Sequence, residues 1–350
     1  MKNILVCLIL FITIPVYAQT FSNPESVEYD AANNRWLVGQ NNSGKVLIYN
    51  PTNGVLTDFC VGMTTGPYGI EILGNVLYCC DGSRVKGYDL TSGTMVFNLN
   101  LNATFLNGIT SDGNNFLFVT DYSAKKIFRI NVSANSFNPM ATIVKSPNGI
   151  IYDSANNRCV FVTWGANAPI QAISLMDSTI STLITTTLTN LDGIIRDSQG
   201  NWYVSAWGTN SLNKTDAAFS YNPVSVKNGL SSPADLGINA TLDSIGIPNS
   251  GSANNVVFHA ISNTSGINDL NNKETLPFPN PSGSRITITL DDMIIDGRIE
   301  LTDISGKEIS SDTAKGNIFY IDKGELSTGN YIIRISDRGK VVYTKQIVFK

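Results

Sequence analysis

A four-residue motif recurs six times along the chain, and its spacing constrains the fold more than any other feature. Successive copies begin 39 to 44 residues apart, and short apolar segments follow each one. The copies begin at Pro24, Pro67, Leu106, Pro147, Leu191 and Pro233. A repeat of about forty residues that is rich in short strands is typical of a β-propeller with about four strands per blade. The sequence therefore predicts an all-β, six-bladed propeller.

The third repeat shows the strand pattern expected within a blade. Alternating and continuous apolar segments predict four strands in it, at 108–112, 115–120, 126–132 and 141–144. In the last repeat the pattern ends after a third strand at 256–261. The mature chain has only a few residues before Pro24, so we expect any ring closure through the N-terminus to be short or absent.

The N-terminal residues predict export. A short basic start precedes an apolar run at 4–14, and small residues follow at 16–18. The run is too short to span a bilayer, so residues 1–18 are predicted to be a cleaved signal peptide. Cys7 lies inside the run, which disfavours a lipoprotein cleavage site. No later segment is long and apolar enough to be an anchor, so we expect a propeller at 19–261 in an exported chain without a transmembrane segment.

Charge and cysteine content narrow the classes of partner. Only 15% of the 350 residues are charged and the formal net charge is −4, with no basic patch that would bind nucleic acid. Beyond the signal peptide the cysteines are Cys60, Cys79, Cys80 and Cys159, and their spacing matches no zinc motif. One disulfide in an oxidising compartment and buried free thiols are both open interpretations.

A second β region follows a polar linker at 262–276 and occupies residues 277–350. Its motifs are, in order, Pro279-Asn280-Pro281-Ser282, a turn from Asp303 to Gly306-Lys307, a step from Leu326 through Gly329 to Tyr331, and a basic end. They resemble the C-terminal sorting domain of the type IX secretion system of Bacteroidetes. The resemblance implies a small immunoglobulin-like β-sandwich that engages the secretion machinery. It also implies transport through the periplasm to the medium or the cell surface, with this domain removed or used for attachment. An unrelated adhesion module is the alternative.

The sequence holds one histidine, His259, inside an apolar strand segment. A serine- or cysteine-based triad would depend on it, but its strand setting favours a packed, hydrogen-bonded role. A zinc site of histidine and cysteine ligands is likewise disfavoured. If the chain is an enzyme, its acid–base groups are carboxylates and its metal is held by oxygen.

The second position of the repeated motif supplies such oxygens. We expect equivalent loop positions to converge at one mouth of the central channel of a propeller. In blade order these positions are Glu25, Tyr68, Asn107, Asn148, Asp192 and Ala234. Amide and carboxylate oxygens suit a hard cation such as Ca²⁺. A second interpretation is that Asn-Gly and Asp-Gly are turn residues that tolerate left-handed backbone and need no metal, although this leaves Glu25 unexplained.

The propeller region resembles the gluconolactonase, regucalcin and luciferin-regenerating-enzyme group. Those six-bladed proteins hold a divalent metal in the channel with a Glu in the first blade, an Asn before Gly and an Asp before Gly. The resemblance implies that Glu25, Asn148 and Asp192 are metal ligands. It also implies that Asp192 is the base and that Asn107 faces the substrate, although Gly108 replaces the acid usually found next. Glu25 lacks the Glu-Gly-Pro context of that group.

The resemblance implies metal-assisted hydrolysis of a lactone or an ester. The metal would polarise the carbonyl group, and Asp192 or a second carboxylate such as Asp121 would assist the attack of water. Asn107 and Tyr68 would orient the substrate. Oxygen ligands favour Ca²⁺, Mg²⁺ or Mn²⁺ over Zn²⁺, and Ca²⁺ is expected first. A different class of function is equally open: a non-catalytic secreted or surface propeller that binds a partner or a glycan and keeps a structural or vestigial ion site.

Overall fold

The structure is a computed structural model that describes residues 20–51, 53–240, 244–261, 277, 279–304, 306–338 and 340–350. The predicted signal peptide at 1–18 and the predicted linker at 262–276 lie outside these residues. The chain divides into two compact units, Met1–Ser262 and Asn263–Lys350.

The first unit contains six antiparallel sheets whose strands follow chain order, which confirms the predicted six-bladed propeller. Blades 1 to 3 comprise β1–β12: Pro24–Asp30, Arg35–Gln40, Lys45–Asn50, Val55–Val61; Ile70–Leu73, Val76–Asp81, Arg84–Asp89, Met95–Asn100; Leu106–Ser111, Phe116–Asp121, Lys126–Asn131, Ser136–Thr142. Blades 4 to 6 comprise β13–β23: Pro147–Asp153, Arg158–Thr163, Pro169–Ser174, Ile180–Thr185; Leu191–Arg196, Trp202–Ala206, Ser211–Thr215, Val224–Lys227; Gly237–Asn239, Ser244–Asn249, Asn255–Ala260. One short 3₁₀ helix, Ser154–Asn156, follows β13.

The second strand of each blade is nearly continuous in apolar residues because both of its faces are covered by neighbouring blades. In β10, for example, Leu117 and Val119 pack towards blade 2 while Phe118 packs towards blade 4. The hydrophobic clusters of the ring therefore lie between blades. One of them joins blades 4 and 5 around Trp202, which is fully buried.

Among the residues that the structure describes, the ring closes without an extra strand. Within the described residues blade 6 has three strands, as expected from the end of the apolar pattern at 256–261. The N-terminal segment contributes side-chain and loop contacts instead. Asn23 N donates to Asn254 Oδ1 at 2.7 Å, and Asp235 N donates to Glu25 O at 2.9 Å. The ring of Phe258 in β23 also packs on Trp36 in blade 1, with centroids 5.0 Å apart. Blade 6 is thus fixed to blade 1 by packing and hydrogen bonds.

The second unit is a four-stranded antiparallel sheet in the order β25-β24-β26-β27. The strands span Arg285–Asp303 (β24), Glu308–Asp322 (β25), Gly329–Asp337 (β26) and Lys340–Phe349 (β27). Register shifts interrupt β24 between Thr289 and Gly297. Both halves of β24 nevertheless share one buried cluster that includes Ile286 and Leu301. The irregularity therefore bends the long strand so that the sheet encloses its own core.

Candidate functional site

The first strand of each blade lines the central channel. A cavity of about 250 Å³ lies there, and residues from all six blades surround it. Half of the residues in its wall are isoleucine, and three are acids, Glu28, Glu71 and Asp235. Glu71 accepts hydrogen bonds from the backbone and side chain of Ser111 in the next blade. The sequence patterns did not indicate these three acids. Asp235 occupies the motif position that is glycine in blades 2 to 5, which was the available signal.

In blades 1, 3, 4 and 5 the repeated motif lies inside the innermost strand and not in a turn. Glu25, Asn107, Asn148 and Asp192 fall within β1, β9, β13 and β17, and none of them has a positive φ. The interpretation of Asn-Gly and Asp-Gly as left-handed turn residues is therefore wrong. In each of these four blades the register shifts at the motif, as it does between Pro147 and Ile150. A bulge re-aims the side chain that it carries, so these four residues share one irregular position at the same end of the channel. We call them the mouth cluster.

The glycine of the motif has a packing role. A Cβ on Gly149 would stand 2.5 Å from the backbone oxygen of Asp192, and a Cβ on Gly108 would stand 2.5 Å from that of Asn148. Neither distance is compatible with a methyl group. Glycine is thus required because the innermost strands of adjacent blades approach backbone to backbone.

Hydroxyl groups on the second strands satisfy the bulged backbone. Gly108 N donates to Thr120 Oγ1, which donates to Asn148 O, both at 2.8 Å. In blade 5, Gly193 N donates to Ser205 Oγ at 2.7 Å, and Ser205 Oγ donates to Ala234 O at 2.8 Å. Each hydroxyl therefore joins a bulge to the innermost strand of the next blade and holds the mouth cluster in place.

Two carboxylates of the mouth cluster are buried and interact electrostatically. Glu25 is 7% exposed and Asp192 is 3% exposed. Burial raises the pKa of Glu25 to about 7, while a hydrogen bond from Ser250 partly opposes that shift. Burial raises the pKa of Asp192 well above its usual range, and the charges of Glu25 and Asp235 raise it further. A positive charge placed between these groups would favour their ionised forms.

Two acceptor oxygens in the mouth cluster have no hydrogen-bond partner. Asn148 Nδ2 donates to Leu191 O at 3.3 Å, which leaves its Oδ1 buried and unpaired. Asn148 and Trp207 approach the Asp192 carboxylate closely enough to favour its charged form, yet Asp192 Oδ1 also lacks a well-aligned donor. Buried unpaired acceptors are costly, so this pair is the part of the mouth that most needs a ligand.

The remaining predicted site residues separate into two groups. Asn107 is buried on β9, next to the strand that carries Asn148. Tyr68 is half-buried near Glu25, and burial together with the charge of Glu25 raises the pKa of this tyrosine. Asp121 does not join the mouth cluster. Its carboxylate is fully buried and accepts the backbone N–H groups of Thr104, Phe105 and Ala124 at 2.7 to 3.1 Å. Asp121 thus anchors the loop that leads into β9.

Five aromatic side chains border the mouth, and the sequence analysis named only the first of them. Their ring centroids form a continuous chain with steps of 4.5, 5.6, 6.1 and 5.3 Å and interplanar angles of 65 to 81°. In order they are Tyr68, Phe105, Tyr122, Trp164 and Trp207. We call this set the aromatic arc. All five are half-buried, in contrast to core rings such as Trp202.

Equivalent backbone contacts position the last three rings of the arc. Tyr122, Trp164 and Trp207 each follow the second strand of their blade. Each donates its backbone N–H to the residue just before the innermost strand, at 2.9 to 3.0 Å. The corresponding hydrogen bond in blade 1 comes from Asn41 and in blade 6 from Ser250. The mouth is therefore aromatic on the side of blades 2 to 5 and polar on the side of blades 6 and 1.

Neither histidine nor cysteine contributes to this site. His259 lies on β23, the outer strand of blade 6, and burial lowers its pKa. The structure contains buried free thiols at Cys60, Cys79, Cys80 and Cys159. Of the two interpretations left open by the sequence, a disulfide or free thiols, it therefore has free thiols. Among the described residues no three His, Cys, Asp or Glu side chains form a metal-holding group. A cation at the mouth would thus rely on amide oxygens as well as carboxylates.

Residues 277–350 match the secretion system C-terminal sorting domain, which confirms the resemblance noted in that region. The protein is therefore an exported propeller whose C-terminal domain directs it to secretion or to the cell surface through the type IX machinery. Within the part of the chain that the structure describes, no helix has the length and apolar character needed to cross a membrane. No curated protein matches the sequence.

Solved structures similar to the chain show the fold. A Bacteroides thetaiotaomicron protein of unknown function has a TM-score of 0.59 at 14% identity, with 70% of each chain covered. Virginiamycin B lyase from Staphylococcus aureus has a TM-score of 0.52 at 14% identity, covering 69% of this chain and 85% of the lyase. The β-propeller domain of Myceliophthora thermophila Cps50 (Swd1) has a TM-score of 0.54 at 8% identity, covering 71% of this chain and all of that domain. These identities are too low to indicate a shared activity.

Proposed function

We propose that this exported propeller binds a divalent cation at the mouth cluster and hydrolyses a lactone or an ester there. The observation that supports the proposal is the pair of buried, unpartnered acceptor oxygens on Asn148 and Asp192. The N–H groups of Asn148 and Trp207 approach Asp192 without good alignment, so a positively charged group would satisfy both oxygens better. Glu25 adds a second carboxylate on the opposite side of the ring.

The donor set fits a hard cation. Carboxylate and amide oxygens are the ligands that Ca²⁺ prefers, and Mg²⁺ and Mn²⁺ share that preference, whereas Zn²⁺ is better served by nitrogen and sulfur. Glu25, Asn148 and Asp192 would hold the ion, with two formal negative charges to match its two positive ones. A divalent cation bound there would lower the pKa values of Glu25 and Asp192, which burial raises.

The residues of the mouth would have separate roles in hydrolysis. When bound, a divalent cation supplies Lewis-acid polarisation of a carbonyl group. Asp192 would accept a proton from the attacking water at its carboxylate. Asp235, whose charge interacts with both Glu25 and Asp192, replaces Asp121 as the second carboxylate in reach. Asn107, a member of the mouth cluster, and Tyr68, which lies near Glu25, would orient the substrate.

A non-catalytic binding function is the second candidate. It is favoured by the absence of a three-residue acid, histidine or cysteine group suited to a metal among the described residues. A cation held by only two carboxylates and neutral amides would suffice to fix a ligand or the ring itself. In this case Glu25, Asn148 and Asp192 would form a structural ion clamp.

Calorimetric titration with Ca²⁺ and lactone hydrolysis test these proposals on the full chain without its signal peptide. Asp192→Asn keeps the shape of the side chain but removes a ligand charge. Loss of a residue that supports a metal ligand weakens metal binding by roughly 10- to 100-fold. Because Asp192 is itself a proposed ligand, we expect this variant to weaken Ca²⁺ binding by at least that factor. Asn107→Ala should spare Ca²⁺ binding and reduce hydrolysis. Asp177→Asn, at an exposed loop position, is the matched control and should change neither.

Absence of Ca²⁺, Mg²⁺ and Mn²⁺ binding by the wild-type chain would overturn the cation site. Cation binding without turnover of sugar lactones or simple esters would favour the binding function over the hydrolase.

A further inference from the structure

We propose that the ligand of the channel mouth is a small organic cation, an ammonium group on an apolar body, that binds against the aromatic arc. The inference deepens the proposed function, because it names the chemistry of the ligand. It rests on the mouth being a ligand site, but it does not require the divalent cation.

The aromatic arc has the form of a recognition surface. Its rings meet edge to face and stay half-buried, so each ring is fixed by its neighbours while part of it remains exposed for a ligand. The first ring, Tyr68, lies near Glu25, and the last, Trp207, lies near Asp192. The arc therefore runs along the mouth from one carboxylate of the cluster to the other.

The charge of the channel selects a cation. Five carboxylates surround the channel and its mouth: Glu25, Glu28, Glu71, Asp192 and Asp235. None takes part in the ion pairs of the described propeller residues, which involve Asp30, Asp58, Asp81 and Asp153 instead. A positive charge bound at the mouth would favour the ionised forms of these buried carboxyl groups. The mouth is therefore suited to a cation whether or not a metal is bound.

Both features together point to an ammonium group and not to a neutral ligand. A neutral apolar molecule would cover the rings but would leave the carboxylates uncompensated. An ammonium group is attracted by the faces of tryptophan and tyrosine rings and by the acids beneath them. The Oδ1 atoms of Asn148 and Asp192 add negative potential at the end of the arc that Trp207 forms.

Choline and its uncharged isostere 3,3-dimethylbutan-1-ol test the proposal, since they share size and shape but differ in charge. Both are titrated against the full chain without its signal peptide, by calorimetry and by tryptophan fluorescence. We expect choline to bind at least about tenfold more tightly than the alcohol. Trp164→Leu and Tyr122→Leu should each weaken choline binding by about tenfold. Tyr221→Leu, at an exposed tyrosine outside the arc, should leave it unchanged.

Equal affinity for choline and the alcohol, no binding of either, or full affinity in both arc variants would overturn the proposal. The thermal midpoint of each variant shows whether it is folded, and two separate arc variants guard against the failure of one. The titrations are run with EDTA and again with Ca²⁺. Choline binding without Ca²⁺ binding would refute the divalent site and retain this inference. Ca²⁺ binding without choline binding would refute this inference and retain the divalent site.

Discussion

Replacement of Gly149 by alanine tests whether backbone contact between blades shapes the mouth. The added Cβ would stand 2.5 Å from Asp192 O, 2.9 Å from Gly193 Cα and 3.2 Å from Ile194 N. All three are backbone atoms, so no side-chain rotation relieves the clash. An ordinary contact begins near 3.4 Å, so β13 and β17 would have to separate by roughly 1 Å.

Overpacking of this kind costs about 1–3 kcal/mol, and we expect Gly149→Ala to lie near 3 kcal/mol because the obstacle is backbone. Urea unfolding followed by tryptophan fluorescence measures the loss, since Trp202 is buried in the cluster between blades 4 and 5. Asn148 and Asp192 occupy the same bulges, so binding at the mouth should fall as well.

Gly113→Ala is the matched control. Nothing lies within 4 Å of its Cβ, but its φ of +76° disfavours alanine, so about 1 kcal/mol of backbone strain is expected without any clash. If Gly149→Ala costs no more than this control, close approach of the innermost strands is not the reason for the glycine.

Lowering the pH from about 8 to 5 without divalent cations should raise the thermal midpoint. Burial raises the pKa of Glu25 and Glu71 to about 7 and of Asp235 to about 8, so the folded chain binds more protons than the unfolded one in this interval. The stability gained from this extra proton binding is fully present below the pKa values of the unfolded chain and is lost as the pH rises through the pKa values of the folded chain. A thermal midpoint that falls on acidification would contradict the argument. Asp153→Ala should cost about 3 kcal/mol in urea unfolding, because it removes a fully buried carboxylate that accepts hydrogen bonds at 2.8 and 2.9 Å from two partly exposed arginines of blades 4 and 5. Loss of the exposed Lys45–Asp58 pair should cost less than about 1 kcal/mol. Similar costs for the Asp153 and Lys45–Asp58 pairs would contradict the expected difference between buried and exposed ion pairs. Truncation after Leu276 should leave a folded propeller in the periplasm, as cell fractionation would show, and normal secretion of the truncated chain would refute the role of residues 277–350.

The blades could be predicted from the sequence because each is a local unit with its own strand pattern. The spacing of the motif gave the number of blades, and the loss of pattern after 256–261 gave the three-stranded last blade. The C-terminal domain was recognisable because its motifs occur in a fixed order within residues 277–350.

The site was less predictable because it depends on contacts between blades. Asn148-Gly149 has the composition of a turn, and only the proximity of β17 reveals that the glycine serves packing. Asp121 has the composition of a site residue, but three backbone N–H groups bind its carboxylate inside the protein. The aromatic arc is made of residues that are far apart in sequence, such as Tyr122 and Trp164, so no local pattern shows it.

Neighbouring residues of the bulged motif have different roles, one in strand spacing and one in the chemistry of the mouth. In blades 2 to 5 the glycine of the motif sets the distance between innermost strands, and the residue before it is Tyr, Asn, Asn or Asp. In blades 3 and 4 the glycine meets the backbone oxygen, and not the side chain, of that residue in the next blade, so the side chain can change while the ring persists. This arrangement makes the propeller a scaffold whose specificity can be altered by substitution at a partly exposed position such as Tyr68 without redesign of the core.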